Sequence, residues 1–291
     1  MNLNKFAFVI LNYKNVEDTI SLLKDIKNQD WFEQVKIYVV DNNSQDRSVE
    51  KLKEIQKDIK FQLIISNENL GFAKGNNLGI KKALKDGYKF VICSNADISL
   101  KKQDDFLKKI ISIYNNDRNI GIIAPNIYNL DGVYQNPFRE KRFNKREILK
   151  MKFFYLTNFY KLYYFIRIYI LYDLITKLAK KRKLNNIKQN RLKKSQYIYA
   201  PHGSFLIFTP SYFKYYNGFY ENTFLYCEEF ILAERLIKKD LKCFFENSLN
   251  VLHKESKSTD KVVKNYKEKV KFTLKHTFES CKYFAKILEL N

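Results

Sequence analysis

Ser94-Asn95-Ala96-Asp97 sets a carboxamide and a carboxylate two positions apart, directly after the apolar run Phe90-Val91-Ile92-Cys93. That run is short and β-branched enough for a buried strand. The two oxygen-bearing side chains then fall at the strand's carboxyl end, where open α/β sheets bind ligands. Together they can hold a hard divalent cation by oxygen and leave positions for substrate phosphates. The competing reading is a strand-to-helix loop in which Asp97 caps the following helix.

Other stretches put polar groups where apolar runs end. Asp41, in Val-Val-Asp-Asn-Asn-Ser-Gln-Asp, follows Val35 to Val40. Its carboxylate suits an imide N–H or a ribose hydroxyl, and equally a turn and helix cap. Asn69-Leu-Gly71-Phe-Ala-Lys74-Gly75-Asn76-Asn77 brings two glycines four apart and then paired asparagines. Such a pattern lets backbone approach a ligand and offers it amides, at a helix start that favours phosphate. It is neither a Walker loop nor a GxGxxG fingerprint, so a nucleoside triphosphatase or dinucleotide enzyme is unsupported. Glu228-Glu229 opens a helix after an aromatic stretch. Acids are favoured at a helix N-terminus whatever their task, while Phe219, Phe224 and Tyr226 nearby would raise a carboxyl's pKa by desolvation. His253 follows a short strand and is structural or a ligand; His276, on a C-terminal helix, is expected at the surface.

The elements that must position these groups are legible in order. Strands are expected over Phe6 to Leu11, Val35 to Val40, Phe61 to Ile65, Phe90 to Cys93 and Ile120 to Ala124, with helices between them. Strands alternating with helices of this length imply βαβ units and a mostly parallel sheet. Later come a strand over Ser204 to Phe208, a helix from Glu228 to Lys238, and short strands Cys243 to Phe245 and Asn250 to Leu252. A helix or helix pair is expected over Val262 to Leu290.

At 291 residues with 45% hydrophobic and 16% aromatic content, the chain can bury a large core. Four widely spaced cysteines without a CxxC pair argue for a reducing compartment and against a zinc site. The N-terminus lacks the apolar core of a signal peptide, and no apolar run is long enough for a bilayer span. The net charge is +22; residues 139–194 carry eighteen Lys or Arg against three acids, a net +15. Such local basicity speaks of what is bound there.

Seven blocks in one order resemble family 2 of the inverting glycosyltransferases, on the nucleotide-sugar-binding GT-A fold, and among them the bacterial rhamnosyltransferase-like members. They are VILNYKN (9–15), VVDNNSQD (39–46), NENLGFAKGNN (67–77), SNAD (94–97), HGSFLIF (202–208), GFYENTFLYCEEF (218–230) and VLHKES (251–256). The resemblance spans about residues 6 to 256, apart from an insertion over 137–196. It implies that Asp41 reads the nucleotide base, with Leu11, Asn12, Asn43, Gly71, Asn76 and Asn77 on the donor side. Asn95 and Asp97 would occupy the DxD position, where Asp97 bridges Mg or Mn to the donor diphosphate with His253 as a further contact. Asn95 stands where many members have Asp, one negative charge fewer. Glu228-Glu229 matches the Glu-Asp position whose second acid is the catalytic base; Glu229 is one methylene longer, which leaves open which acid reaches the acceptor. His202, Gly203 and Tyr226 fall on the acceptor side.

The insertion mixes Phe153-Phe154, Tyr163-Tyr164-Phe165 and Ile168 to Tyr172 with Lys and Arg, closing on Lys180-Lys181-Arg182-Lys183. Amphipathic helices on an anionic membrane, a solvated or oligomeric helical hairpin, and single-stranded nucleic acid compete as readings, the last least favoured. The expectation is an α/β GT-A enzyme divided as 1–136 (nucleotide-sugar binding), 137–196 (basic aromatic insertion), 197–257 (acceptor and catalysis) and 258–291 (C-terminal helix). It would move a sugar from a dTDP- or UDP-sugar to a glycan or lipid-linked acceptor in polysaccharide biosynthesis. Its place would be cytoplasmic, peripheral on the inner face of the cell membrane. The alternative is a non-catalytic GT-A-like module docking on membrane or nucleic acid.

Overall fold

Successive side chains of a strand face opposite ways, and β1 (Phe6–Asn12) uses both faces for burial. Phe6, Phe8 and Ile10 enter one apolar core; Ala7 and Val9 enter the other. The computed structural model describes residues 6–170, 192, 194–255 and 266–289. Around β1 lie β2 (Val35–Asp41), β3 (Gln62–Ile65) and β4 (Phe90–Asn95), all parallel, in the order β3-β2-β1-β4. Helices α1 (Val16–Lys27), α2 (Ser48–Ile55) and α4 (Phe106–Asn116) cover the face with Phe8 and Ile10; α3 (Gly71–Lys85) covers the other. The first four expected strands are therefore present, and their polar tips lie along one end of the sheet.

Past β4 the chain departs from strict alternation. Asp97 does not cap a helix: the two-residue strand β5 (Ile98–Ser99) follows at once, and α4 begins only at Phe106. Strand β6 (Ile120–Asn129) runs through Pro125 with a register shift, longer than its apolar run implied. After β7 (Gln196–Ile198), β8 (Phe205–Phe208) inserts antiparallel between β4 and β6. The two short late strands are one, β9 (Lys242–His253), because the same register shift against β6 lets it continue past its polar middle. β9 pairs with β5 and so brings His253 level with Ile98.

Helices α5 (Lys145–Leu156) and α6 (Phe159–Phe165) carry the described part of the insertion. They pack on the last helix, α8 (Tyr266–Ile287), around Phe278, which meets Phe154, Tyr155, Tyr160 and Tyr163. Helix α7 (Glu228–Ile237) lies between sheet and insertion, held by a bidentate pair from Arg142 to the buried Glu234 at 2.9 and 2.7 Å. The Lys180 to Lys183 cluster and the first residues of the expected C-terminal helix lie outside the described residues.

Candidate active site

The tips of β1 and β2 are tied by buried hydrogen bonds. Asn12 Nδ2 donates to Asp41 Oδ1 at 2.7 Å, and Ser44 donates to the same carboxylate from its hydroxyl (2.6 Å) and its backbone N–H (3.1 Å). Asn12 Oδ1 accepts from Thr19 at 2.9 Å. Asp41, expected to face a nucleotide base, is 1% exposed and has both oxygens engaged by the chain itself. Its neighbour Asn42 reaches the ligand side instead, latching the next loop through Asn69, Gly71 and the Leu70 N–H. Asn43, in left-handed backbone at φ 61°, turns the chain so that the Ser44 N–H comes back to Asp41.

A cavity of about 280 Å³ opens over these tips. Leu11, Tyr13 and Asn15 line one side, with Asn42, Asn69, Gly71 and Phe72 beside them. Asn95, Ala96 and Asp97 form the floor's polar strip, and Phe224, Leu225, Tyr226 and Phe272 close over it. Leu11, Gly71, Asn95, Asp97 and Tyr226 thus meet at one cavity. Asn12, Asp41, Asn43, Asn76 and Asn77 are not among its walls, and neither are His202, Gly203, Glu228, Glu229 and His253, which lie behind Asp97. Asn76 donates to Phe72 O within its own helix, and Asn77 clamps the Phe219 backbone, donating to its carbonyl at 3.0 Å and accepting its N–H at 2.7 Å. Once the helix starts at Gly71, positions 76 and 77 lie more than a turn inside it and point into packed protein.

Gly71 joins the two halves of the cavity. It has φ +75°, and a Cβ there would stand 2.2 Å from the Phe224 carbonyl oxygen, which accepts the Phe72 N–H at 2.8 Å. Gly71→Ala is expected to lose roughly 2–3 kcal/mol, from left-handed strain and the displaced loop. Chemical denaturation would measure it, and donor affinity should weaken with it.

Asp97 and His253 stand side by side, Oδ1 to Nε2 at 3.3 Å. The far nitrogen of His253 is fixed by Gln135. The Gln135 amide nitrogen donates to the Glu255 carboxylate, so its oxygen faces His253 Nδ1 at 2.8 Å and that nitrogen carries the proton. The Nε2 lone pair therefore points toward a carboxylate oxygen, an arrangement that calls for a cation or a second proton between them. A nitrogen and an oxygen so placed could serve as two ligands of a divalent ion. Among the described residues no cluster of three or more His, Cys, Asp or Glu forms a self-sufficient metal cage.

His202 lies against this pair, its ring 5.6 Å from that of His253. Its Nδ1 accepts the Ser204 N–H at 3.2 Å, and burial together with His253 pulls its pKa down to about 3, so it stays neutral. The next residue, Gly203, gives room to the base candidate: a Cβ there would meet Glu229 Oε1 at 2.7 Å. Burial raises the Glu229 pKa, opposed by the backbone N–H groups of Glu229 and Gly203. Glu228, 6% exposed with Oε1 lacking a hydrogen bond, is pushed well up by burial and then by Glu229. Asp97, His253, His202, Gly203 and Glu229 thus form one continuous run of contacts.

Several residues of the site carry no sequence signal of their own. Tyr13 is one aromatic in the VILNYKN block, and Gln135, behind His253, sits in a nondescript Tyr-Gln-Asn-Pro run. Phe272 comes from a distant helix. His276, expected at the surface, is wedged between Phe224 and Phe272 at ring distances of 4.7 and 4.4 Å, and burial lowers its pKa.

The profile of the family described as glycosyl transferase family 2 matches residues 8–179. The chain belongs to glycosyl transferase family 2. It is 28% identical over 149 residues to the dTDP-rhamnosyl transferase RfbF of Shigella flexneri, covering 48% of this chain and 47% of that one. It is 30% identical over 135 residues to the low-salt glycan biosynthesis hexosyltransferase Agl10 of Haloferax volcanii, covering 46% and 40%. The chain therefore matches less than half the length of these relatives. S. aureus TarS 1-349 in complex with UDP-GlcNAc superposes with a TM-score of 0.56 at 12% identity, over 87% of this chain and 59% of that one. GalNAc-T7 with UDP, GalNAc and Mn2+ does so at 0.58 and 12%, over 87% and 44%. These likenesses establish the GT-A α/β fold, and the chain is a family 2 glycosyltransferase. Among the described residues, no helix is long and apolar enough to cross a membrane.

Proposed function

We propose that this chain transfers a hexose from a UDP- or dTDP-sugar to a hydroxyl of a glycan or lipid-linked glycan, in surface polysaccharide synthesis, with inversion at the anomeric carbon. The observation that carries this reading is the Asp97–His253 pair at 3.3 Å on the same run of contacts as Glu229. The base of the nucleoside would rest against Tyr13 and Leu11 and its diphosphate near Asn95 and Asp97; Asp41 would shape that wall from beneath. Asp97 and His253 would hold a divalent ion, which when bound offsets the charge gathering on the leaving diphosphate. Glu229 takes the proton from the acceptor hydroxyl as its oxygen bonds to the anomeric carbon, and the carbon's bond to the diphosphate oxygen breaks. Both bonds change on opposite faces of the sugar, so configuration inverts. Beside it Glu228 is raised further, by burial and by Glu229, two carboxyls driven apart by their surroundings. In this reading 1–136 serve the donor, 197–257 the acceptor and base, and 137–196 with 258–291 form a helical annex. Four free cysteines support a reducing, cytoplasmic place of action.

The test is thermal unfolding with UDP- and dTDP-sugars, with and without Mn, beside an assay for released nucleoside diphosphate. A donor at a hundred times its Kd stabilises by about 2.7 kcal/mol, and this gain should require the metal. Asp97→Asn is expected to remove the metal-dependent part while leaving the metal-free Tm within a few degrees. Donor turnover without any metal requirement would contradict the assignment of Asp97 and His253.

A further inference from the structure

The outward surface of the insertion is unlike the rest of the molecule. On α5, Leu149, Phe153 and Leu156 are 47%, 60% and 41% exposed, and spacings of four and three place them on one stripe. The opposite side of the same helix is packed, with Ile148 1% exposed and Tyr155 against Phe278. On α6, Phe159 and Leu162 are 48% and 55% exposed. The rings of Phe153 and Phe159 stack at 5.2 Å, which joins the two stripes into one apolar surface. Lys145, Arg146, Lys150 and Lys161 are exposed around it. Scattered apolar residues on a surface are ordinary, but a contiguous patch of five large ones calls for a partner.

We infer that this face docks the enzyme on an anionic phospholipid bilayer. Leucine and phenylalanine side chains enter the acyl boundary while the surrounding cations meet lipid phosphates, as in interfacial helices. The exposed cations beside the patch, Lys145, Arg146, Lys150 and Lys161, choose among occupants. A second copy would set that charge against itself, and nucleic acid would use the cations while leaving three leucines against water. The docking face is also wired to the cavity. Helix α8, whose Phe278 braces the underside of α5 and α6, carries Phe272 on the cavity wall and Thr273 beside the Tyr226 hydroxyl at 3.5 Å. The bilayer contact does not depend on the transfer reaction proposed above.

The experiment is co-sedimentation of the full chain with phosphatidylcholine vesicles, with and without phosphatidylglycerol, at rising salt. Binding is expected only with phosphatidylglycerol and should weaken as salt rises. Phe153→Ser with Leu162→Ser should cut partitioning by at least about tenfold, with Tm and turnover of a water-soluble acceptor unchanged. Lys150→Glu with Lys161→Glu, which leaves the apolar stripe intact, should shift the salt response. Equal binding to neutral vesicles, undiminished binding by the serine variant, or displacement from vesicles by an oligonucleotide would overturn the inference. Vesicle binding without sugar transfer would sink the catalytic reading and leave the docking face standing; transfer without vesicle binding would do the reverse.

Discussion

Glu229→Gln is expected to lower transfer by about 10²–10⁴-fold, the range that a positioned general base contributes, while the donor still binds and still raises Tm. Glutamine keeps the shape beside Gly203 but cannot accept the hydroxyl proton. The wild-type rate should also fall on the acid side with a midpoint above that of an ordinary glutamate, because burial raises this carboxyl and only its ionised form works. Glu228→Gln gives the contrast. Its carboxyl is raised in the folded protein, so the stability tied to it is complete below the unfolded glutamate pKa and lost as pH climbs through the folded value. A neutral amide does not suffer that loss. The Glu228→Gln variant should therefore unfold at a higher temperature than wild type near neutral pH, with the gap closing toward pH 4, and should retain transfer. Equal losses of transfer in the two variants would remove the distinction between the acids.

Arg142→Met is the second large effect. Arg142 meets Glu234 through Nε and Nη2, and Glu234 is 4% exposed with, among the described residues, the Tyr199 hydroxyl at 2.8 Å as a further donor. Methionine fills the space but leaves a buried carboxylate short of its charge partner, a change that costs about 3–5 kcal/mol. Urea unfolding measures it. Restoring neutrality with Glu234→Gln in the same chain should recover much of the loss, since the penalty belongs to the stranded charge. Because Glu234 is on the helix that begins with Glu228 and Glu229, the single variant should also loosen the base and lower turnover before it unfolds.

What could be read in the residues and what could not divides along physical lines. Runs such as Phe90 to Cys93 announce a buried strand because nothing but the sheet interior accepts them, so the strand tips and with them Asp97 were legible. The aromatic and basic character of 145–165 was equally plain, since it is compositional. Asn76 and Asn77 lie off the cavity because an amide serves a ligand or a neighbouring backbone equally well: Asn76 turns back to the Phe72 carbonyl and Asn77 clamps Phe219. Asp41 looked like a ligand group for the same reason: the donors that satisfy it come from Asn12 and Ser44, and the 29-residue separation from Asn12 leaves no trace in spacing. The role of Gln135 in setting the His253 tautomer depends on Glu255, 120 positions on. Composition and periodicity report on solvent and on one element at a time; pairings across the fold escape them.

Strand β8 has a consequence for how the chain comes to be made. It lies between β4 and β6 and supplies the antiparallel partner for Val91 to Ser94. Until Phe205 has been synthesised, the parallel quartet ends in a bare apolar ribbon whose amides and carbonyls on that side await pairing. Such a border recruits other nascent chains as readily as its own missing strand. Fragments ending before Phe205 should accordingly clump where the full chain stays dispersed, and the intervening cationic stretch, already translated by then, would hold like-charged nascent chains apart in the interval.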